Sequence, residues 1–216
     1  MIQQRLDGEA IYALLLRDIQ AGRIPEGGYL KEVDLASRFG VSRTPVRDVL
    51  NRMVLERLLV RTSKGLRPRR VTPEEIIQVY DLRILLESEA AAQAAKNRHV
   101  TDVVALRGLL ERDRALVHPE DAIRTSTNIE FHEVIWQAAH NAVLLDVLER
   151  LSLHAIHKPS STLSIGGRWS DALDEHERIL QAIDRQNAEE AAAVMAEHMR
   201  TARDLRLSLF GQVIER

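Results

Sequence analysis

L-A-S-R-F-G-V-S-R-T-P-V-R, residues Leu35–Arg47, sets a glycine between two short segments of helical pattern. Gly40 suits the left-handed backbone that ends a helix. Ser42 suits the N-cap of the next one. Pro45 falls in the first turn, where its missing N–H costs little. Two short helices around a tight glycine turn predict a helix-turn-helix. The second helix would show Ser42, Arg43, Thr44 and Arg47 at its N-terminal end. Arg43 and Arg47 are one turn apart and share a face. Arginine can grip guanine bidentately, and threonine can touch a base or a phosphate.

Outward from this core, a first helix is predicted near residues 9–21, with Ile11, Leu14, Leu15 and Ile19 on one face. Gly22 should end it, and I-P-E-G-G, Ile24–Gly28, reads as a turn. The second helix, near Lys31–Phe39, should point Val33, Leu35 and Ala36 inward. The third should bury Val46, Val49, Leu50, Met53 and Val54. Leu58–Arg61 and Leu66–Val71 read as short strands around T-S-K-G. Lys64, Gly65, Arg67, Arg69 and Arg70 make this hairpin basic, suited to phosphates or a minor groove.

Charge separates the two ends of the chain. The total is −2, which by itself argues against nucleic acid. Residues 1–72, however, hold 14 basic and 8 acidic side chains, a net +6, while residues 73–216 hold 16 and 24, a net −8. From Arg38, itself a candidate DNA contact, to Arg70, ten basic residues meet only Asp48 and Glu56. A phosphate-binding module fused to an acidic partner domain follows. The junction R-R-V-T-P-E-E carries Thr72 as N-cap, Pro73 at the first helical position and Glu75 to close a capping box. The expected domains are therefore 1–72 and 73–216.

Beyond the junction the pattern is helical throughout, near 73–97, 101–117, 119–140, 142–157, 169–185 and 188–211. Thr101, Asn141 and Asn187 serve as plausible caps, and K-P-S-S-T-L-S-I-G-G, Lys158–Gly167, as one long polar loop. The fold class is mainly α: a winged helix-turn-helix and an all-α bundle of about six helices. No apolar run nears the ~20 residues of a membrane helix. The N-terminus lacks the pattern of a signal peptide. The absence of cysteine excludes disulfides and thiolate chemistry and fits a cytoplasmic protein.

All eight histidines lie in the acidic part. Asn128 and His132 are one turn apart on a helix whose apolar stripe runs on to Ile135 and Ala139. His176 sits among Trp169, Leu173, Ile179, Leu180 and Ile183, and His198 among Ala191, Met195, Ala202 and Leu205. Spacing leaves two readings: separate core histidines, or ligands from three helices enclosing one metal ion. His99, His118, His140 and His157 fall near helix ends and read as surface groups. His154 lies near the stripe of Val147, Leu148 and Leu151 and could line the same cavity. Arg83 falls on the inward stripe of Ile76, Val79, Tyr80, Leu86 and Ala90. A buried arginine needs a partner, and Glu87 is one turn away.

G-V-S-R-T-P-V-R-D-V-L resembles the recognition-helix signature of the GntR family of bacterial regulators, and L-L-V-R-T-S-K-G resembles its wing. Pro68 departs from the β-branched residue usual in the return strand, so that strand should be short or kinked. The helical part, with V-Y-D-L-R-I-L-L-E, F-H and D-E-H-E-R-I-L-Q-A-I … A-E-H-M, resembles the FCD-type ligand-binding domain of the FadR subfamily. That resemblance implies a divalent metal on His132, His176 and His198, with Asn128 where the family usually has aspartate. Asparagine offers a neutral carbonyl oxygen, so metal binding should be weaker. Zinc, nickel and manganese are not distinguished.

The resemblance also places Arg83 beside an effector pocket, where its guanidinium would grip a small organic acid. The expected protein is not an enzyme. It is a homodimeric regulator, a repressor, of a palindromic double-stranded DNA operator, with no membrane partner. The alternatives are a metal-dependent enzyme built on the His-rich bundle and a pure metal sensor. Neither Glu133 nor Glu177, the neighbours of the histidines, is placed to act as the base an enzyme would need.

Overall fold

A computed structural model describes residues 6–20, 23–24, 28–155 and 161–214. The chain divides into two compact units, one ending at Val71 and the other beginning at Thr72.

The first unit contains α1 (Gly8–Gln20), α2 (Glu32–Phe39), α3 (Arg43–Leu55), β1 (Leu59–Thr62) and β2 (Gly65–Pro68). α1 and α2 pack on α3, and α3 packs on β1. Ile11, Leu15, Val46, Met53 and Leu58 are wholly buried at the centre. Gly40 takes φ 66° and returns its N–H to the end of α2, the left-handed cap that the glycine predicts. Ser42 is the N-cap of α3 by position, but its side chain makes no cap hydrogen bond. Val33, expected inside, is 57% exposed. With eight residues α2 presents only a narrow buried face, which Leu35 and Ala36 fill.

β1 and β2 are antiparallel, pairing Leu59 with Pro68 and Thr62 with Gly65. The return strand stops at Pro68, short of the expected Val71. Proline has no N–H to donate, and the next amide, Arg69, reaches Leu58 O at 3.0 Å. Leu30 N–H adds a bridge to Leu66 O at 2.7 Å. At the tip, Gly65 adopts φ 134°, which a side chain would resist. Gly22 and most of the I-P-E-G-G turn lie outside the described residues.

The second unit contains α4 (Pro73–Asn97), α5 (Val100–Arg114), α6 (Asp121–Ala138), α7 (Ala142–Ala155), a 3-10 turn η1 (Thr162–Ser164), α8 (Arg168–Asp184) and α9 (Ala188–Ile214). The capping box at the junction forms: Glu75 N–H donates to Thr72 Oγ1 at 3.3 Å, and Thr72 N–H to Glu75 Oε2 at 3.1 Å. Asn141 and Asn187 cap α7 and α9 through their side-chain oxygens. At α5 the cap is His99; Thr101 is inside the helix. α5 and α6 are shorter than expected, with His118 in left-handed backbone between them.

α4 and α9 run along each other, and α4 also packs against α6, α7 and α8. Ala90, Ala91, Ala94 and Ala95 are fully buried on α4 and let its neighbours approach closely. Trp136 and Leu148 pack over Ala90. Truncating a buried aromatic such as Trp136 would cost about 3–5 kcal/mol. Within the loop read as polar, Thr162 and Leu163 are buried in η1; His157 and residues 158–160 lie outside the described residues. No helix among the described residues is long and apolar enough to cross a membrane.

Candidate nucleic-acid interface and metal centre

In the first unit, Ser42, Arg43, Thr44 and Arg47 are all exposed at the start of α3. Arg43 and Arg47 share one partner, Glu32 in the first turn of α2, each at 3.2 Å. These hydrogen bonds hold the Glu32 carboxyl below its usual range. Two guanidinium groups of α3 are thus parked on a single carboxylate. Arg38, in the last turn of α2, is half-exposed and donates to the buried Asp18 at 2.6 Å, as does Arg23. In the wing, Thr62 Oγ1 donates to Gly65 O and accepts from Lys64 N–H, which fixes the tip. Lys64 is exposed. Arg67 is only half-exposed, and its Nε is shielded without a hydrogen-bond partner among the described residues.

In the second unit, the tertiary fold brings His132 of α6, His176 of α8 and His198 of α9 together. All three are buried, and one ring nitrogen from each lies within 4.8 Å of the others. His132 Nδ1 lies 2.5 Å from Glu87 Oε2, and His198 Nδ1 lies 2.5 Å from Glu175 Oε2. The opposite nitrogens, His132 Nε2 and His198 Nε2, face each other at 3.1 Å. His176 stacks on Phe131, with centroids 4.1 Å apart. Neither of its nitrogens has a partner among the described residues, nor does the buried Asn128 Oδ1.

Electrostatics fixes the tautomers. Burial alone would raise the Glu87 carboxyl, but Arg83 and His132 outweigh it and hold it down to about 2. Burial of Glu175 is likewise outweighed, by His198 and Arg168, with the same result of about 2. Both groups are therefore carboxylates, which only accept hydrogen bonds. His132 and His198 therefore each donate from Nδ1, and in a neutral ring the Nε2 lone pair is the one aimed at the point where the two rings meet. Burial, followed by the neighbouring imidazoles, pushes His176 well below the usual histidine range. Burial also lowers His198, to about 4, against the opposing pull of Glu175. Three converging imidazoles, two of them backed by a carboxylate, form a donor set that fits a divalent ion.

Arg83 lies in this network. Its Nε donates to Glu87 Oε1 at 2.8 Å, and the side chain is 13% exposed. His154, half-buried in the last turn of α7, is not among the converging imidazoles. Sequence reasoning missed Arg168 and Glu175. Arg168, 5% exposed, grips Glu175 through both terminal nitrogens at 2.7 and 2.6 Å. Their seven-residue spacing, two turns along one face, was the available signal.

Two family comparisons fall on the two units. Residues 8–65 match the family described as bacterial regulatory proteins, gntR family, and residues 78–201 match the FCD domain. The chain belongs to the GntR family, with an FCD domain behind its winged helix. A probable D-xylose utilization operon transcriptional repressor from Paenarthrobacter nicotinovorans is 26% identical over 190 residues, covering 86% of this chain and 82% of that protein. The gluconate operon transcriptional repressor of Bacillus subtilis is 29% identical over 178 residues, covering 80% and 73%. A solved structure described as E. coli McbR/YncC superposes with TM-score 0.75 over 96% of this chain and 98% of that one. At 21% identity that likeness speaks for the fold. This GntR protein is a DNA-binding transcription regulator, and its relatives are regulators, not enzymes.

Proposed function

We propose that this regulator is a homodimeric repressor whose FCD domain holds a divalent ion on His132, His176 and His198. Asn128 supplies a neutral oxygen, and a small organic acid completes the site. The single observation that carries this reading is the approach of His132 Nε2 and His198 Nε2 to 3.1 Å, each on a ring whose Nδ1 faces a carboxylate. A cation there would be ligated by both nitrogens.

Charge supports an acidic effector. Arg83 with Glu87 and Arg168 with Glu175 are already balanced pairs. Three neutral imidazoles and an asparagine leave a dication uncompensated in a buried place, so an anion is favoured beside it. Arg83 borders the network and would take the effector's carboxylate; His154 is the second candidate contact. Effector binding would shift operator affinity, and the coupling must be reciprocal. The names of the relatives favour repression, and one concerns a gluconate operon, a small hydroxy acid. On DNA, Arg38, Ser42, Arg43, Thr44, Arg47, Lys64, Gly65 and Arg67 are the proposed contacts. Two copies would read a palindromic operator with half-sites about one helical turn apart.

The test is calorimetry of metal-loaded protein against hydroxy-, keto- and sugar acids, with operator binding measured in parallel. Arg83→Lys should lose effector affinity and keep operator affinity, because an ammonium cannot reproduce the planar fork. Unchanged effector affinity would confine Arg83 to its ion pair with Glu87. Operator binding that answers to metal alone would make the protein a pure metal sensor.

A further inference from the structure

Two of the histidines read as surface groups meet on the far side of α4 from the junction. His99 is the N-cap of α5, one residue beyond the C-cap of α4. His140 is the residue after the C-cap of α6 and sits in left-handed backbone at φ 51°. The rings lie 4.2 Å apart, tilted by 33°. Beside them is Asp102, whose Oδ2 accepts from the His99 backbone N–H at 2.8 Å and from His140 Nε2 at 2.9 Å. One donor atom from each of the three lies within 4.8 Å of the other two. The frame is tied independently of the histidines, since Asn97 Nδ2 donates to Ala139 O at 2.9 Å across the two helix ends.

We propose that His99, Asp102 and His140 form a second divalent-metal site, exposed to solvent and separate from the buried imidazoles. Two imidazoles and one carboxylate are a borderline ligand set, suited to zinc, nickel, cobalt or copper. The chain has no thiolate to compete for such an ion. Helix dipoles favour a cation here on balance. The cluster lies at the C-terminal, negative ends of α4 and α6. The opposing positive end of α5 already carries Asp102.

In the metal-free chain His140 donates its Nε2 proton to Asp102. On binding, the Nε2 proton leaves to solvent and Nδ1 takes one up from solvent, so the ring stays neutral with its Nε2 lone pair on the ion, while the Asp102 oxygen becomes a ligand. Three protein ligands leave the remaining positions to water or to an exogenous group. The ion would staple the α4–α5 turn to the α6–α7 turn and raise the stability of that end of the bundle by mass action.

The test is equilibrium dialysis of the untagged full chain against zinc chloride, with the bound zinc counted by elemental analysis. Asparagine tolerates left-handed backbone, so His140→Asn removes the imidazole without straining the turn. His140→Asn and His99→Gln should each lose one zinc ion per chain relative to the unmodified protein, with helicity by circular dichroism unchanged. If the buried imidazoles bind no zinc, the count should fall from one to none; if they do, it should fall by one. Either result supports the exposed site. A zinc count that stays the same in both folded variants overturns it.

Discussion

His132 Nε2 lies 3.1 Å from His198 Nε2, while a carboxylate holds the far nitrogen of each ring at 2.5 Å. The carboxylates set which lone pairs are free and how basic they are. Glu175→Gln keeps the size of the side chain and removes the charge behind His198. Affinity for a divalent ion should drop about 10–100-fold, the usual cost of losing such a support. Competition with a chelator of known affinity measures it. Wild-type affinity in this variant would mean that His198 does not ligate.

Asn128 Oδ1 is buried without a partner among the described residues, one turn before His132. Asn128→Asp adds the missing negative charge at that point. The variant should hold metal more tightly and should keep it when no organic acid is present. The unmodified protein should retain metal better when such an acid is added. Elemental analysis after dialysis, with and without the acid, distinguishes the two proteins. Equal retention under all conditions would break the proposed link between ion and effector.

Arg43 and Arg47 share Glu32 in the DNA-free chain, so operator contact must exchange this carboxylate for bases or phosphates. Arg43→Ala should cost about 1–3 kcal/mol on the operator and relax specificity where a bidentate base contact is lost. Glu32→Gln frees both arginines. It should tighten non-specific binding more than operator binding, because phosphate attraction needs charge without orientation. Footprinting and salt titration on operator and random DNA read both effects. Unaltered operator binding by the Arg43→Ala, Arg47→Ala double variant would remove α3 from the interface.

Asp18 is buried and takes hydrogen bonds from Arg23 and Arg38, both at 2.6 Å. Burial would raise its carboxyl, but the two guanidinium groups outweigh burial and hold it below the usual aspartate value. Its folded value is therefore lower than its unfolded one. The stabilisation is fully present above about pH 4 and is lost as pH falls through the folded value. Asp18→Asn should destabilise the winged-helix unit at neutral pH by about 1–3 kcal/mol, the cost of weakening a buried charged hydrogen bond. The gap between variant and wild type should narrow in acid. Hydrogen exchange of α1 and α2 amides at several pH values reports it; a gap independent of pH would contradict this account.

Local chemistry made much of this protein readable from its sequence. Gly40 and Pro45 mark the helix-turn-helix because each acts on backbone within one turn, and Ser42 stands at the N-cap by position. The Thr72 and Glu75 capping box, the Asn141 and Asn187 caps and the early stop at Pro68 obey the same short-range rules. His132, His176 and His198 could be placed on inward stripes because helical periodicity is also local. Periodicity carries no information about which inward stripes meet. Only packing of α6, α8 and α9 decided that three imidazoles converge, and that Glu87, 45 residues from His132, fixes a tautomer. The exposure of Val33, the capture of Arg43 and Arg47 by Glu32, and the meeting of His99 with His140 were decided in the same way. Each depends on distances between elements far apart in the chain, which the order of residues along one helix does not set.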